Sequence, residues 1–372
     1  MKILFVTFGE LQVRGNSARP AAVVRALVDA GHRVSIIAAR VDIPKHPNMQ
    51  VLAGQEAPVT ERRLRMAATQ AASSMKFDAV HAVDAAAPFC MQICLLRKIP
   101  FIYDASRCFT GKNAQPPSKR WKWFPKHYAA KEQKLLRKAA GVITADAVLA
   151  RELEALSREA RVTRIEDVPL QSLFTCPEDG RSELNLRLKQ PVTSIAVCRV
   201  EALSSSDLRK LLMAVRKVID SMPDLSFVFR GVSAGEAGPM AASLDIEARC
   251  CFLEPEEVEL YLCALQAAAA SVLVPTPDRR YVSPEIYTLL NAPAPLVHVQ
   301  SSAHDGLLDE QNSVPVLLNT DSMAEGMLRV LREPLFSLGL AAEGRQLIAD
   351  HYSLSSFKHK IRMLYHETLH VT

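Results

Sequence analysis

Two successive sets of short apolar runs, with room for a helix between neighbouring runs, constrain this chain more than any other feature. The first set is Lys2 to Phe8, Arg33 to Ala39, Phe77 to Ala82, Pro100 to Asp104 and Ala140 to Ala145. The second is Val192 to Val197, Leu225 to Arg230, Arg249 to Leu253, Ala267 to Val274 and Pro295 to Val299. Runs of this length alternating with helical stretches describe an α/β fold whose strands are buried and parallel. At 372 residues the chain is long enough for two such domains. The polar, unpatterned stretch Cys176 to Gln190 reads as the linker, and Val41 to Val59 reads as a loop with little regular structure.

The stretch PTPDRRYVSPEIYTLLNAPAPLV, Pro275 to Val297, draws the eye next. It places a polar loop and a Pro-started helix (Pro284 to Leu290) after one apolar run and before another. The carboxyl end of a parallel strand followed by a helix is where α/β proteins hold anionic ligands.

Composition excludes several classes. Apolar residues make up 49% and charged residues 23%, as in a soluble globular protein, and no apolar run approaches a membrane span. The start, MKILFVTFGE, has an apolar run only from Ile3 to Phe8 with no small-residue cleavage site after it. It reads as a first strand rather than a leader, so a cytoplasmic location is expected. Eight cysteines show no C-x-x-C or Cys/His metal spacing; reduced, mostly buried thiols are expected, with no zinc site and no disulfide framework. The net charge of +5 gives no reason to expect nucleic acid. No G-x-G-x-x-G follows the first run, so the nicotinamide dinucleotide fingerprint is missing.

Positive charge is nonetheless concentrated. KRWKWFPKHYAAKEQKLLRK sets Lys119, Arg120, Lys122, Lys126, Lys131, Lys134, Arg137 and Lys138 against one acid, Glu132, with Trp121, Trp123 and Phe124 interleaved. Residues 119–138 therefore read as a peripheral contact with an anionic membrane surface. A partner or nucleic-acid surface, or a solvated helix with its aromatics turned inwards, are the other readings.

Motifs along the whole chain resemble the GT-B glycosyltransferases of the family-4-like, retaining type. GNSARPAAVVRALVDAGHRVSII carries Gly15 where the family has a glycine loop, and Gly31, His32 and Val34 match its G-H-x-V turn. FDAVHAVD resembles D-x-V-H-A-x-D, with His81 and Asp84 at a strand end. PFIYDASRCF resembles P-x-x-Y-D-x-H-E, with Ser106 and Arg107 in the His and Glu places. AGVITADAVLARELEAL matches well, and RIEDVPL puts Asp167 in the Asn place of the interdomain crossing. AVCRVEALSSSDLRKLLMAVRKV resembles G-R-L-x-x-x-K-G, with Arg199 in place and Ser204 and Ser205 where Lys-Gly would be. Gly231 matches the glycine after the next strand. The family's two Glu positions in the Pro275–Val297 stretch fall on Arg279 and Tyr287 in one register, or on Arg280 and Thr288 in the other.

The resemblance implies two Rossmann-like lobes facing each other across a cleft, with a C-terminal helix returning to the first lobe. Residues 1–175 with 355–372 would form the acceptor-side domain, and 190–354 the nucleotide-sugar-side domain. It implies a retaining, metal-independent transfer from a nucleotide-sugar to a glycan or lipid-linked acceptor, with no cofactor. His81 and Arg199 are the implied catalytic residues, His81 lining the sugar and Arg199 gripping the diphosphate. Gly15, Gly231, Arg280, Glu285 and Thr288 are the implied donor-binding residues, Glu285 being the nearest carboxylate to replace the missing ribose ligand. The missing Lys-Gly and Glu positions leave a second reading: a transferase-like protein with impaired catalysis, serving as partner or scaffold in a glycan pathway.

Overall fold

The computed structural model describes the chain except for residues 13–17, 55–58, 111–124, 174–175, 177–178, 189–193, 277–279 and 370–372, and the side chains of residues 12 and 125–128. Two compact units result, one holding Met1–Val13, Ser17–Asp167 and Leu354–Thr372, the other Val168–Ser353.

The first unit has a seven-stranded sheet in the order β5-β3-β1-β6-β7-β8-β9. Its strands are β1 (Lys2–Val6), β3 (Arg33–Ile37), β5 (Met49–Ala53), β6 (Ala79–Val83), β7 (Phe101–Asp104), β8 (Gly141–Thr144) and β9 (Val162–Arg164). A small separate pair joins β2 (Glu10–Gln12) to β4 (Arg40–Asp42). Every pairing is parallel. Helices α1 (Ala18–Asp29), α2 (Glu61–Ser74), α3 (Ala87–Arg97), α4 (Pro125–Lys138) and α5 (Ala147–Leu156) connect the strands. The expected loop over 41–59 thus contains β4 and β5. An edge strand needs only main-chain pairing on one side, so β5 lacks the continuous apolar run that marks a central strand.

The second unit has a six-stranded sheet, again all parallel, in the order β12-β11-β10-β13-β14-β15. The strands are β10 (Ser194–Val200), β11 (Leu225–Arg230), β12 (Cys250–Leu253), β13 (Ala268–Val274), β14 (Leu296–Val299) and β15 (Ser313–Val316). The helices are α6 (Gly180–Arg187), α7 (Ser205–Ser221), α8 (Ala234–Ser243), α9 (Val258–Ala267), α10 (Glu285–Leu290), α11 (Thr320–Arg332) and α12 (Pro334–His351). Helix α7 buries Leu208, Leu211, Leu212, Val215 and Val218, the three-and-four spacing of a stripe facing a sheet. The linker expected over 176–190 contains α6: Leu184 and Leu188, one turn apart, are buried, α6 packs on α9, and Arg187 pairs with Glu257.

The last helix, α13 (Leu354–Leu369), belongs to the first unit and packs on α1, as the resemblance implies. Phe357, Ile361, Leu364 and Tyr365 form its buried stripe. In each sheet the chain order reverses beside the central strand: between β1 and β6, and between β10 and β13. Open α/β sheets bind ligands outside the carboxyl ends of the strands at such reversals.

Candidate functional site

In the second unit, Arg199 closes on Arg230. The two stand opposite each other in the β10–β11 register, so both side chains leave the same face at the carboxyl edge of the sheet. Two like charges side by side repel. Glu285, the first residue of α10, answers both: its Oε1 lies 3.5 Å from Arg199 Nε and 3.6 Å from Arg230 Nε. Arg199 Nη1 also donates to the main-chain oxygens of Val200 (2.7 Å) and Arg230 (3.3 Å). Arg230 Nη2 donates to Pro255 O at 3.1 Å, and its guanidinium sits 4.7 Å from the centre of the Tyr261 ring. Burial, and next the Glu285 carboxylate, push the Tyr261 hydroxyl above the ordinary phenol range. Glu201, just past β10, accepts from the Thr276 N–H and so pins the turn after β13.

Sequence reasoning placed Arg199 at this edge and missed Arg230. The signal was present: two neighbouring apolar runs, SIAVCR and LSFVFR, both end on arginine.

The other implied donor-binding residues are placed as follows. Gly231 has φ of +98°, and a Cβ there would stand 1.9 Å from Val200 O and 2.0 Å from Arg199 Nη1. Its absent side chain makes room for the arginine. Arg280 is exposed. Thr288 has no exposed surface; its Oγ1 accepts from Leu170 N (3.0 Å) and its carbonyl from Gln171 Nε2 (2.9 Å). It fastens the segment entering the unit. Ser204, in the family's Lys place, caps α7 by accepting from Asp207 N. Gly15 and Arg279 lie outside the described residues.

In the first unit, His81 differs from the expected cleft-lining imidazole. Its ring has no exposed surface and stacks on Phe5. Nδ1 lies 2.8 Å from the Tyr365 hydroxyl of α13, and Nε2 lies 3.5 Å from Asp104 Oδ2. Beyond it, Arg19 bridges Asp104 and Asp167, each at 3.0 Å, and donates to Ile165 O at 2.7 Å. Burial alone would raise both carboxyls; Arg19 and then His81 hold Asp104 below the usual range, while burial wins at Asp167 and raises it.

Asp84, at the end of β6 beside the strand-order reversal, remains near the surface. It accepts from Ser106 N at 2.8 Å and from the Ser106 hydroxyl, and lies 3.5 Å from Arg107. Ser106 and Arg107, which stand in the family's His and Glu places, therefore both fasten on Asp84. Burial raises its pKa in spite of these partners.

The start of the basic segment, residues 119–124 with both tryptophans, lies outside the described residues, as do the side chains of residues 125–128. Within it, α4 is two-faced: Lys131, Lys134, Arg137 and Lys138 are exposed, while Leu135, Leu136 and Glu132 are buried. Glu132 accepts from the Phe109 N–H at 2.7 Å and from the Thr110 hydroxyl, so the lone acid of the run secures the loop after β7.

Comparison with known proteins agrees with this architecture. Residues 14–169 match the model of the glycosyl transferase 4-like domain. No curated protein matches the chain. Among solved structures, a glycosyltransferase from Rickettsia africae superposes with a TM-score of 0.71 at 12% identity, covering 100% of this chain and 99% of that one. Sucrose-phosphate synthase from Thermosynechococcus elongatus (TM-score 0.68, 14% identity, 100% of both chains) is similar throughout. So is Anabaena HepE in complex with UDP and glucose (0.68, 14%, 100% of both). These likenesses show the fold.

Proposed function

We propose that this chain, which has the GT-B fold and a first unit matching the glycosyl transferase 4-like domain, transfers a sugar from a nucleotide-sugar to a glycan or lipid-linked acceptor. The observation that supports it is the paired Arg199 and Arg230 at the carboxyl edge of the second sheet, next to the strand-order reversal. Two guanidiniums there suit a diphosphate, which they would hold as its charge grows during bond cleavage. HepE, which has the same fold, was solved with UDP and glucose bound.

In this reading the reaction is retaining and independent of metal. The bond from the anomeric carbon to the phosphate oxygen breaks while the acceptor oxygen bonds on the same face. The acceptor proton passes to the departing diphosphate, whose negative charge Arg199 and Arg230 stabilise. Asp84, at the end of β6, would orient an acceptor hydroxyl, supported by its position beside the strand-order reversal. His81 is a positioning residue, buried beneath Asp104 and Tyr365. The exposed basic face of α4, within 119–138, would hold the protein against an anionic, cytoplasmic membrane surface where a lipid-linked acceptor resides.

Titration of UDP-, GDP- and ADP-sugars while following thermal unfolding tests the donor. A donor at about 100 times its Kd stabilises by about 2.7 kcal/mol. No shift with any of them at millimolar concentration would overturn the transferase reading in favour of the scaffold one.

A further inference from the structure

Among the described residues, two buried guanidinium nitrogens beside the Glu285 carboxylate lack a hydrogen-bond partner, Arg199 Nε and Arg230 Nη1. The residues that carry them are at most 9% exposed. Glu285 is the carboxylate that pairs with both guanidiniums. Buried donors without an acceptor are unfavourable, so these nitrogens are free to take up an anion's oxygens. Yet one anion already stands beside them. Glu285 Oε1 lies within 3.6 Å of both Nε atoms, donors of the kind that a phosphoryl oxygen also takes.

We propose that Glu285 is an internal competitor for the anion site formed by Arg199 and Arg230, so that a diphosphate binds only by drawing these arginines away from it. The proposal rests on the donor-side reading above and adds to it. Glu285 compensates the two arginines when the site is empty, which keeps them ordered. It also weakens every small anion, because each must replace an existing ion pair. A nucleotide-sugar brings further contacts from its base and sugar and overcomes the competition; free phosphate and pyrophosphate do not. The carboxylate thus acts as a selectivity element rather than as the ribose ligand that the sequence suggested.

The test is calorimetric titration of inorganic pyrophosphate into the full chain and into Glu285→Gln at constant pH and ionic strength, with UDP-glucose run alongside. Removing the competing charge while keeping the side-chain shape should tighten pyrophosphate by about tenfold or more. Unchanged or weaker pyrophosphate binding by the variant overturns the proposal. If the unaltered chain binds UDP-glucose and Glu285→Gln gains nothing for pyrophosphate, the competitor role alone fails. If the variant gains for pyrophosphate and neither protein binds any sugar nucleotide, the competitor role stands and the transferase reading fails. Should Glu285→Gln not fold, Glu285→Asp draws the charge back by one methylene and should tighten pyrophosphate by about threefold; no gain there overturns the proposal equally.

Discussion

Gly231 and Arg199 share one small space: a Cβ on Gly231 would lie 2.0 Å from Arg199 Nη1 and 1.9 Å from the Val200 carbonyl oxygen. The glycine also sits at φ of +98°, where a side chain is strained even without the clash. Gly231→Ala should therefore cost about 3 kcal/mol of stability and displace the guanidinium from Glu285. Thermal unfolding of the variant measures the first effect. A melting temperature within about 1 °C of the unaltered chain would show that Arg199 does not pass over residue 231 as described.

This pair marks the line between what the sequence shows and what it hides. The central strands were legible because both their faces are buried, so they read as unbroken apolar runs. β5 and α6 were not, because an edge strand and a helix with two buried leucines leave too little pattern. The site divides the same way. Arg199 and Glu285 could be named from order along the chain, whereas the arginine that ends the next run, Arg230, gains its meaning from the β10–β11 register that sets it opposite Arg199. His81 sat in the expected motif, but β6 runs on to Val83, so it is a mid-strand residue whose ring meets Tyr365 of a helix 284 residues away in the chain.

His298, on β14, is 6% exposed, and its Nδ1 finds no hydrogen-bond partner. Burial, and next the neighbouring His304, lower its pKa from 6.5 to about 4. An unfolded chain binds a proton on this ring below about pH 6.5, whereas the folded chain refuses it until about pH 4. Stability from this group is therefore complete above pH 6.5 and is lost as pH falls towards 4, at up to about 1.4 kcal/mol per pH unit and about 3 kcal/mol in all. Denaturant unfolding of His298→Leu between pH 7 and pH 4 should show a shallower decline. An identical decline in both proteins would remove His298 as its source.

The thiols were expected to be reduced. Cys176 and Cys263 instead form a disulfide with their Cα atoms 5.4 Å apart, joining the segment ahead of α6 to α9. The six other cysteines are free. Burial raises the free thiols, Cys251 to about 11, Cys94, Cys108 and Cys250 to about 12, and Cys198 well above the ordinary thiol range, so they are poor nucleophiles for exchange with the bridge. Cross-linking positions 87 residues apart restrains the unfolded chain, and the chain-entropy relation for a loop of that length gives about 4–5 kcal/mol. Cys263→Ala should melt lower than the oxidised chain, and a thiol reductant should lower only the unaltered protein towards it. Equal melting temperatures, or eight titratable thiols in the untreated denatured protein, would mean that the bridge is absent in solution.

The exposed lysines and arginine of α4 make the last prediction. Lys134, Arg137 and Lys138 lie on its solvent face, opposite the buried Leu135, Leu136 and Glu132, so they can be reversed in charge without touching the core. Each basic residue near an anionic bilayer contributes about 1 kcal/mol. The triple variant Lys134→Glu, Arg137→Glu, Lys138→Glu should lose at least about 100-fold in affinity for vesicles containing phosphatidylserine. Its melting temperature should stay close to that of the unaltered chain, because Glu132 still holds the loop after β7. Binding of the unaltered chain should fall with added salt, since the Debye length shrinks from about 10 Å at 0.1 M to about 3 Å at 1 M. Co-sedimentation that is equal for both proteins, or that persists on neutral phosphatidylcholine vesicles, would show that this face does not carry membrane attachment.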